Sequence, residues 1–137
     1  MRSSNLKQRS HCVYSLNYHL VMVTKYRRPC LTSAMLSAIA DSARERCESR
    51  DGELLEINGE SDHVHLLVSL PPHIAVSEFM NALKTNTARV LRRDFKQELS
   101  SWYSEPVLWS RSYCAISVGG APLEVVRRYI EQQDRPH

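Results

Sequence analysis

Hydrophobic and polar residues alternate along two segments of the chain, and a period of two predicts β-strands. The first segment covers residues 12 to 24, where one face would carry Tyr14, Leu16, Tyr18, Leu20 and Met22. The opposite face would carry Asn17, His19, Val21 and Val23. The second segment runs from about Asp62 to Leu70 and ends at Pro71-Pro72, so that its apolar residues predict a buried strand.

Longer periods predict helices between these strands. A helix over residues 32 to 50, capped by Thr32, would bury Leu36, Ile39, Ala40, Ala43 and Cys47. A helix over residues 77 to 99, capped by Ser77, would bury Phe79, Met80, Leu83, Val90 and Leu91.

Short strands are predicted at residues 53–59 and 113–118, and a last helix from about Pro122 to Gln133. The order is then β-α-β-β-α-β followed by a terminal helix. It predicts an α+β fold, a ferredoxin-like (RRM-like) antiparallel sheet with helices on one face.

Composition is that of one globular domain over residues 1–137, with 42% hydrophobic and 24% charged residues. No apolar run approaches the roughly 20 residues of a membrane span, and residues 1–10 lack the apolar core of a signal peptide. A cytoplasmic protein without a membrane partner is expected. The four cysteines are far apart and are expected to be reduced thiols, not a zinc site or a disulfide framework.

The net charge of +3 is mild, but the basic residues are grouped. The groups are Lys25, Arg27 and Arg28; then Lys84, Arg89, Arg92, Arg93 and Lys96; then Arg127 and Arg128. Such clusters are typical of nucleic-acid surfaces. Charge alone favours the simpler interpretation, that they are solvated faces.

His63 and His65 are the first candidates for chemistry, because side chains two apart on a strand point the same way. Two imidazoles on one face are able to bind one metal ion. The alternative is a pair of core histidines, each hydrogen-bonded to a neighbour. Near the other end of the chain, Tyr129 and Gln133 lie one helical turn apart. A Gln oxygen suits a hard cation and a Tyr hydroxyl is a possible nucleophile, although Tyr129 alone is equally consistent with a core-edge aromatic.

Together these motifs resemble the small single-tyrosine HUH transposases of bacterial insertion sequences, the TnpA-type or IS-two-hundred-like family. The matching segments cover nearly the whole chain. They are Tyr18-His19-Leu20-Val21, Thr24-Lys25-Tyr26-Arg27-Arg28, Asp62-His63-Val64-His65-Leu66-Leu67, Lys84, Trp109-Ser110-Arg111-Ser112-Tyr113 with Gly119-Gly120, and Tyr129-Ile130-Glu131-Gln132-Gln133.

The resemblance implies a catalytic Tyr129 and one divalent ion held by His63, His65 and Gln133. It also implies a homodimer whose sites are shared between subunits, and a single-stranded DNA substrate with hairpin ends. Mg²⁺ is the expected cellular ion, and Mn²⁺, which imidazole favours, is expected to work in vitro. No nucleotide cofactor is expected, because the chain has no Walker-type glycine-lysine loop.

Lys25, Arg27, Arg28, Lys84, Arg89 and Arg92 are the candidate DNA contacts. Tyr26, Trp102 and Trp109 are candidates for base stacking, with core packing as the alternative for each tryptophan. The sequence leaves open which group activates Tyr129; the candidates are Glu60, Asp62, Glu131 and Lys84.

Three other functions remain possible at this stage. One is a domesticated relative that acts on chromosomal repeat palindromes by the same chemistry. The second is a non-catalytic, RRM-like nucleic-acid-binding module, which would tolerate Tyr129→Phe. The third is a metal-dependent hydrolase that uses His63 and His65 and forms no covalent intermediate.

Overall fold

A computed structural model describes residues 15–118 and Glu131. The elements in chain order are β1 (Leu16–Thr24), α1 (Ser33–Ser49), β2 (Glu53–Gly59), β3 (His63–Leu70), α2 (Val76–Asp94), α3 (Lys96–Ser100) and β4 (Trp109–Ser117). A three-residue turn, Lys25–Arg27, directly follows β1. Tyr129 and Gln133 of the predicted terminal helix lie outside the described residues.

The four strands form one antiparallel sheet in the order β2-β3-β1-β4. This is the strand order of a ferredoxin-like β-α-β-β-α-β chain, in which β3 lies between β1 and β2. The predicted fold class is therefore confirmed. The central pair, β1 and β3, sets Val21 opposite His65 and Val23 opposite His63.

The hydrophobic core lies between the sheet and the two long helices. The sheet contributes Leu20 and Met22, which alternation places on one face of β1, together with Val64, Leu66 and Val68 from β3. All five have no exposed surface. Helix α1 contributes Met35, Ile39, Ala43 and Cys47, and α2 contributes Phe79, Met80, Leu83, Ala88 and Leu91. The residues that alternate with these along β1 and β3 therefore lie on the opposite face of the sheet.

The predicted N-terminal cap is confirmed for α1 and is wrong for α2. The Thr32 hydroxyl accepts a hydrogen bond from the Met35 amide at 3.2 Å, which confirms the predicted cap of α1. The predicted Ser77 cap is wrong: α2 begins at Val76, and the Phe79 amide donates to the Ala75 carbonyl at 3.0 Å. The predicted single helix to residue 99 is also broken, because Phe95 takes φ −127° and ψ 40° between α2 and α3.

Strand β4 begins at Trp109, four residues before the predicted start. Trp109 pairs with Thr24 across the sheet and is only 8% exposed. Its indole Nε1 donates to the Thr87 hydroxyl of α2 at 2.9 Å. Core packing is therefore the correct interpretation of Trp109, whereas Trp102 is 37% exposed.

Among the helices that the structure describes, none combines the length and the apolar character needed to cross a membrane.

Candidate active site on the histidine face of the sheet

Three imidazoles lie together on the sheet face that points away from α1 and α2. We call this the histidine face and define it by His19, His63, His65, Val21 and Leu67. The ring centroids of His63 and His65 are 5.8 Å apart and nearly parallel, at 19°. The ring of His19 is 6.0 Å from that of His65. His63 and His65 therefore share a face, as alternation along β3 predicts.

Asp62 orients the first of these rings. The His63 Nδ1 atom donates to Asp62 Oδ1 at 2.8 Å, and the residue is buried, with 5% of its surface exposed. In a neutral imidazole this bond places the proton on Nδ1 and leaves the ligating lone pair on Nε2. A carboxylate behind a histidine is the usual support of a metal ligand, so the residues present are suited to a bound metal ion.

The Asp62 carboxylate stays ionised for a clear reason. Burial alone would raise the pKa of the Asp62 carboxyl, but the His63 hydrogen bond and the nearby Arg27 charge outweigh it. The pKa of Asp62 is consequently lower than its usual value. The group at this position is thus a charged acceptor at neutral pH.

His19 is the functional candidate that the sequence analysis missed. It is 3% exposed, and neither ring nitrogen has a hydrogen-bond partner in the described part of the chain. Burial, with the His65 charge as the second cause, lowers the pKa of His19 from 6.5 to about 4, against an opposing effect of Glu56. His19 is therefore neutral at physiological pH and adds no positive charge beside the other two rings.

This low pKa predicts acid-sensitive stability. The unfolded chain takes up a proton on His19 as the pH falls through 6.5, whereas the folded protein resists until about 4. The free energy of unfolding of the metal-free protein should therefore fall between these values, by about 2–3 kcal/mol from this residue. Urea denaturation above pH 6.5 and close to pH 4 measures the change.

In the His19→Leu variant, most of this pH dependence should disappear. His73→Leu, at an exposed histidine of the β3–α2 connection, is the matched control and should retain it. An unchanged pH slope in His19→Leu would contradict the assigned pKa.

A basic turn, Lys25–Arg28, lies beside the histidine face. Tyr26 at its tip is 71% exposed, and both Tyr26 and Arg27 have positive φ, 61° and 53°. Such backbone is unfavourable for residues other than glycine and is concentrated at functional sites. The Lys25 ammonium and the Arg28 guanidinium are 5.5 Å and 5.1 Å from the Tyr26 ring, so the tip combines an exposed aromatic with two cations.

The rest of the turn is firmly held. The Tyr103 hydroxyl donates to the Lys25 carbonyl at 2.7 Å, and the Thr24 amide donates to the Asp62 carbonyl at 3.0 Å. Arg28 donates to the Trp102 carbonyl. The structure therefore fixes the predicted basic segment next to Asp62 and His63, which are distant in sequence.

The predicted contacts on α2 lie elsewhere. Because α2 covers the core side of the sheet, Arg89 and Arg92 are separated from the histidines by the sheet. They line a groove of about 660 Å³ with Arg93, Lys96 and Tyr103. The Lys84 ammonium is held by the carbonyls of Ser110 at 2.7 Å and Arg111 at 3.0 Å, and burial lowers its pKa. Their DNA contacts stay predictions.

The remaining candidate ligands and bases are only partly placed. Within residues 15–118 and Glu131, no cluster of three or more His, Cys, Asp and Glu side chains is arranged to hold a metal. The predicted third ligand, Gln133, is of another residue type and lies outside the described residues, as does Tyr129. Glu60 and Glu131 are exposed.

Comparison with known proteins identifies the family of the chain. The family model described as "Transposase IS200 like" matches residues 12–133. The ISDra2 transposase TnpA of Deinococcus radiodurans is 34% identical over 124 residues, which are 88% of this chain and 86% of that protein. The transposase for insertion sequence element IS200 of Salmonella typhimurium is 31% identical over 127 residues, 93% of this chain and 82% of that protein.

Solved structures give the same result. A crystal structure of a candidate transposase from Deinococcus radiodurans R1 matches with a TM-score of 0.73 and 31% identity, over 93% of this chain and 97% of that one. A REP-associated tyrosine transposase bound to a REP hairpin has a TM-score of 0.55 and 11% identity, over 85% of this chain and 62% of that one. The second match concerns the fold alone.

The comparisons place this sheet, with its paired histidines and the basic turn beside them, in the class of DNA transposases. Within that class, the chain belongs to the IS200-like transposase family. It is therefore a transposase, an enzyme that cleaves DNA.

Proposed function

We propose that this transposase cleaves and rejoins single-stranded DNA at the hairpin-bearing ends of its insertion sequence, through a covalent bond to Tyr129. One observation carries the proposal: the stacked pair of His63 and His65, with Asp62 behind His63, on the face that also presents the basic turn. Family membership supplies the DNA substrate.

The metal site of the proposal consists of His63, His65 and Gln133. The two imidazoles and the amide oxygen form a neutral set, and the low pKa of His19 keeps a third ring uncharged nearby. A Mg²⁺ or Mn²⁺ ion held there would keep its full charge to polarise a non-bridging phosphate oxygen. The Asp62 carboxylate, which is hydrogen-bonded to His63 at Nδ1, would keep that ring in place.

The chemical step conserves the phosphodiester energy. The Tyr129 oxygen forms a bond to the scissile phosphorus and the bond from phosphorus to the DNA 3′ oxygen breaks. The phenolic proton passes through a nearby base to the departing oxygen, which becomes a 3′-hydroxyl. The products are a 5′-phosphotyrosine and a free 3′-hydroxyl. Attack by a different 3′-hydroxyl on the phosphotyrosine reverses the step and joins new ends, so no nucleotide cofactor is required.

The basic turn is the proposed contact for the unpaired strand. Lys25, Arg27 and Arg28 supply positive charge for phosphates, and the exposed Tyr26 ring offers a surface for base stacking, worth about 1–3 kcal/mol per base. Arg89 and Arg92 on the opposite side of the sheet are proposed to contact phosphates at a distance from the cleaved bond. A hairpin that extends beyond the active site would bring DNA to both places.

We further propose a homodimer in which each active site joins the histidines of one chain to the Tyr129 helix of the other. This assembly follows from the family resemblance. Mixing two differently inactivated variants tests it directly.

The test of the function is a cleavage assay on end-labelled DNA from the ends of the element. Wild-type protein is incubated with Mn²⁺, with Mg²⁺ or with a chelator, on single-stranded DNA and on the matching duplex. A protein–DNA adduct in a denaturing gel that requires both metal and single strands is expected. Cleavage without an adduct would instead identify a metal-dependent hydrolase, and binding without cleavage would contradict the catalytic proposal.

A further inference from the structure

A continuous chain of polar contacts joins the basic turn to His63. The Arg27 Nε and Nη2 atoms both donate to Asp62 Oδ2, each at 3.3 Å. The other carboxylate oxygen, Oδ1, accepts from His63 Nδ1 at 2.8 Å. Asp62 thus uses one oxygen for the turn and the other for the buried ring.

We infer that Asp62 is a positioning residue that fixes the proton and orientation of His63, and that Arg27 acts on His63 through Asp62. The inference deepens the proposed function, because it rests on His63 as a metal ligand. In this role, Asp62 and Arg27 do not have to contact the metal ion or the DNA.

The backbone around Asp62 supports a fixed carboxylate. The Asp62 carbonyl accepts from the Thr24 amide at 3.0 Å and lies 3.1 Å from the Thr24 hydroxyl, which ties the end of β1 to the residue before β3. The side chain of Asp62 is 24% exposed, compared with 6% for His63. Hydrogen bonds therefore hold both the backbone carbonyl and the two carboxylate oxygens of Asp62, while part of the side chain remains exposed to solvent.

The two-oxygen arrangement explains why Arg27 matters. A carboxylate that serves His63 alone could rotate and offer either oxygen to Nδ1, whereas the guanidinium occupies Oδ2 and leaves Oδ1 for the ring. Arg27 is itself part of the turn that carries the exposed Tyr26. A phosphate that attracts Arg27 would therefore change the metal affinity of the site at His63. By reciprocity, bound metal would change the affinity of the turn for the phosphate.

The first experiment reads the His63 proton directly in the metal-free protein. Long-range ¹H–¹⁵N NMR of the imidazole nitrogens should show the proton on Nδ1 in the wild type. In Asp62→Asn this preference should be lost or much reduced, because the amide is a weaker acceptor and carries no charge. Asp94→Asn removes an exposed aspartate paired with Arg93 at 2.8 Å and, as a matched control, should leave His63 unchanged. A wild-type His63 protonated on Nε2, or a tautomer insensitive to Asp62→Asn, would overturn the inference.

The second experiment measures Mn²⁺ affinity by electron paramagnetic resonance. Asp62→Asn should weaken binding about 10- to 100-fold, and Arg27→Gln should weaken it less. The double variant should bind as Asp62→Asn does, since Arg27 acts through Asp62. Additive losses would overturn the role of Arg27, and Arg27→Gln, at a partly exposed position, guards against a fold defect in Asp62→Asn.

His63→Ala separates this inference from the proposed function. If Mn²⁺ binds His63→Ala as tightly as wild type, the proposed metal site is wrong. The NMR result in the metal-free protein would still decide whether Asp62 positions His63.

Discussion

Replacement of Tyr129 by phenylalanine should abolish formation of the protein–DNA adduct, with a rate loss of at least about 10³-fold. The change deletes only the oxygen that is proposed to attack and retains the aromatic ring. In the proposed mechanism no other group forms the phosphotyrosine bond, and loss of a nucleophile is among the largest single effects in enzymes. The adduct is counted in a denaturing gel with single-stranded, end-labelled DNA and Mn²⁺.

Tyr26→Phe is the matched control for this experiment. It removes the hydroxyl of an exposed tyrosine while it keeps the ring for stacking, and should cleave at nearly the wild-type rate. DNA binding by Tyr129→Phe should be unchanged in a gel-shift assay. Cleavage by Tyr129→Phe at the wild-type rate would refute the covalent mechanism and favour hydrolysis.

His65→Ala should reduce cleavage at least about a hundredfold and weaken Mn²⁺ binding in parallel. His65 is half-buried between His63 and His19, and its loss removes one of the two imidazoles on β3. The free energy of unfolding of the variant should stay within about 1 kcal/mol of the wild-type value, because the deleted ring lies outside the main core. His73→Ala, at an exposed histidine, should have no effect on cleavage.

High Mn²⁺ concentration offers a further check on His65→Ala. If the ring acts as a ligand, raising the metal concentration should recover part of the activity. If activity instead depends on the ring in another way, added metal will not restore it.

Mixing Tyr129→Phe with His65→Ala tests the shared site of the proposed homodimer. Each variant alone lacks one half of the chemistry. If the histidines of one chain serve the tyrosine of the other, mixed dimers contain one intact site and should recover cleavage. If each chain uses its own tyrosine, every site in the mixture is defective and no cleavage returns.

The sheet and its faces were largely predictable from the chain. Alternation placed Leu20 and Met22 on one face of β1 and the two histidines on one face of β3, because burial of one face imposes a period of two. The burial of Leu20, Val64 and Leu66 in the structure shows which face is the core. Helix α1 was correct at its cap, since the Thr32 hydroxyl satisfies an amide that the helix itself leaves unpaired.

The errors fall where tertiary contacts override local signals. No proline or glycine near Phe95 indicates that the helix ends there, and Phe95 itself packs partly into the core. Trp109 starts β4 earlier than predicted because it pairs with Thr24 and bonds Thr87, two residues far away in sequence. Ser77 resembles a cap, but the helix begins one residue before it.

The site shows the same division between local and long-range information. The His63 and His65 pair can be read from the sequence alone. The proximity of His19 depends on the register that sets His19 opposite Leu67, and the Arg27–Asp62 contact joins residues 35 positions apart. Alternation along a strand determines neither the strand order nor the register. The proximity of His19 and the Arg27–Asp62 contact were therefore not predictable.

The separation of core and chemistry onto opposite faces of one sheet has a practical consequence for protein engineering. Three fully buried methionines, Met22, Met35 and Met80, lie in the layer between sheet and helices. Methionine is flexible, and exchanges for leucine of similar volume are usually well tolerated in such a layer. A heat-resistant form of this transposase can therefore be sought by redesign of that layer alone, while every side chain on the opposite face of the sheet is left unchanged.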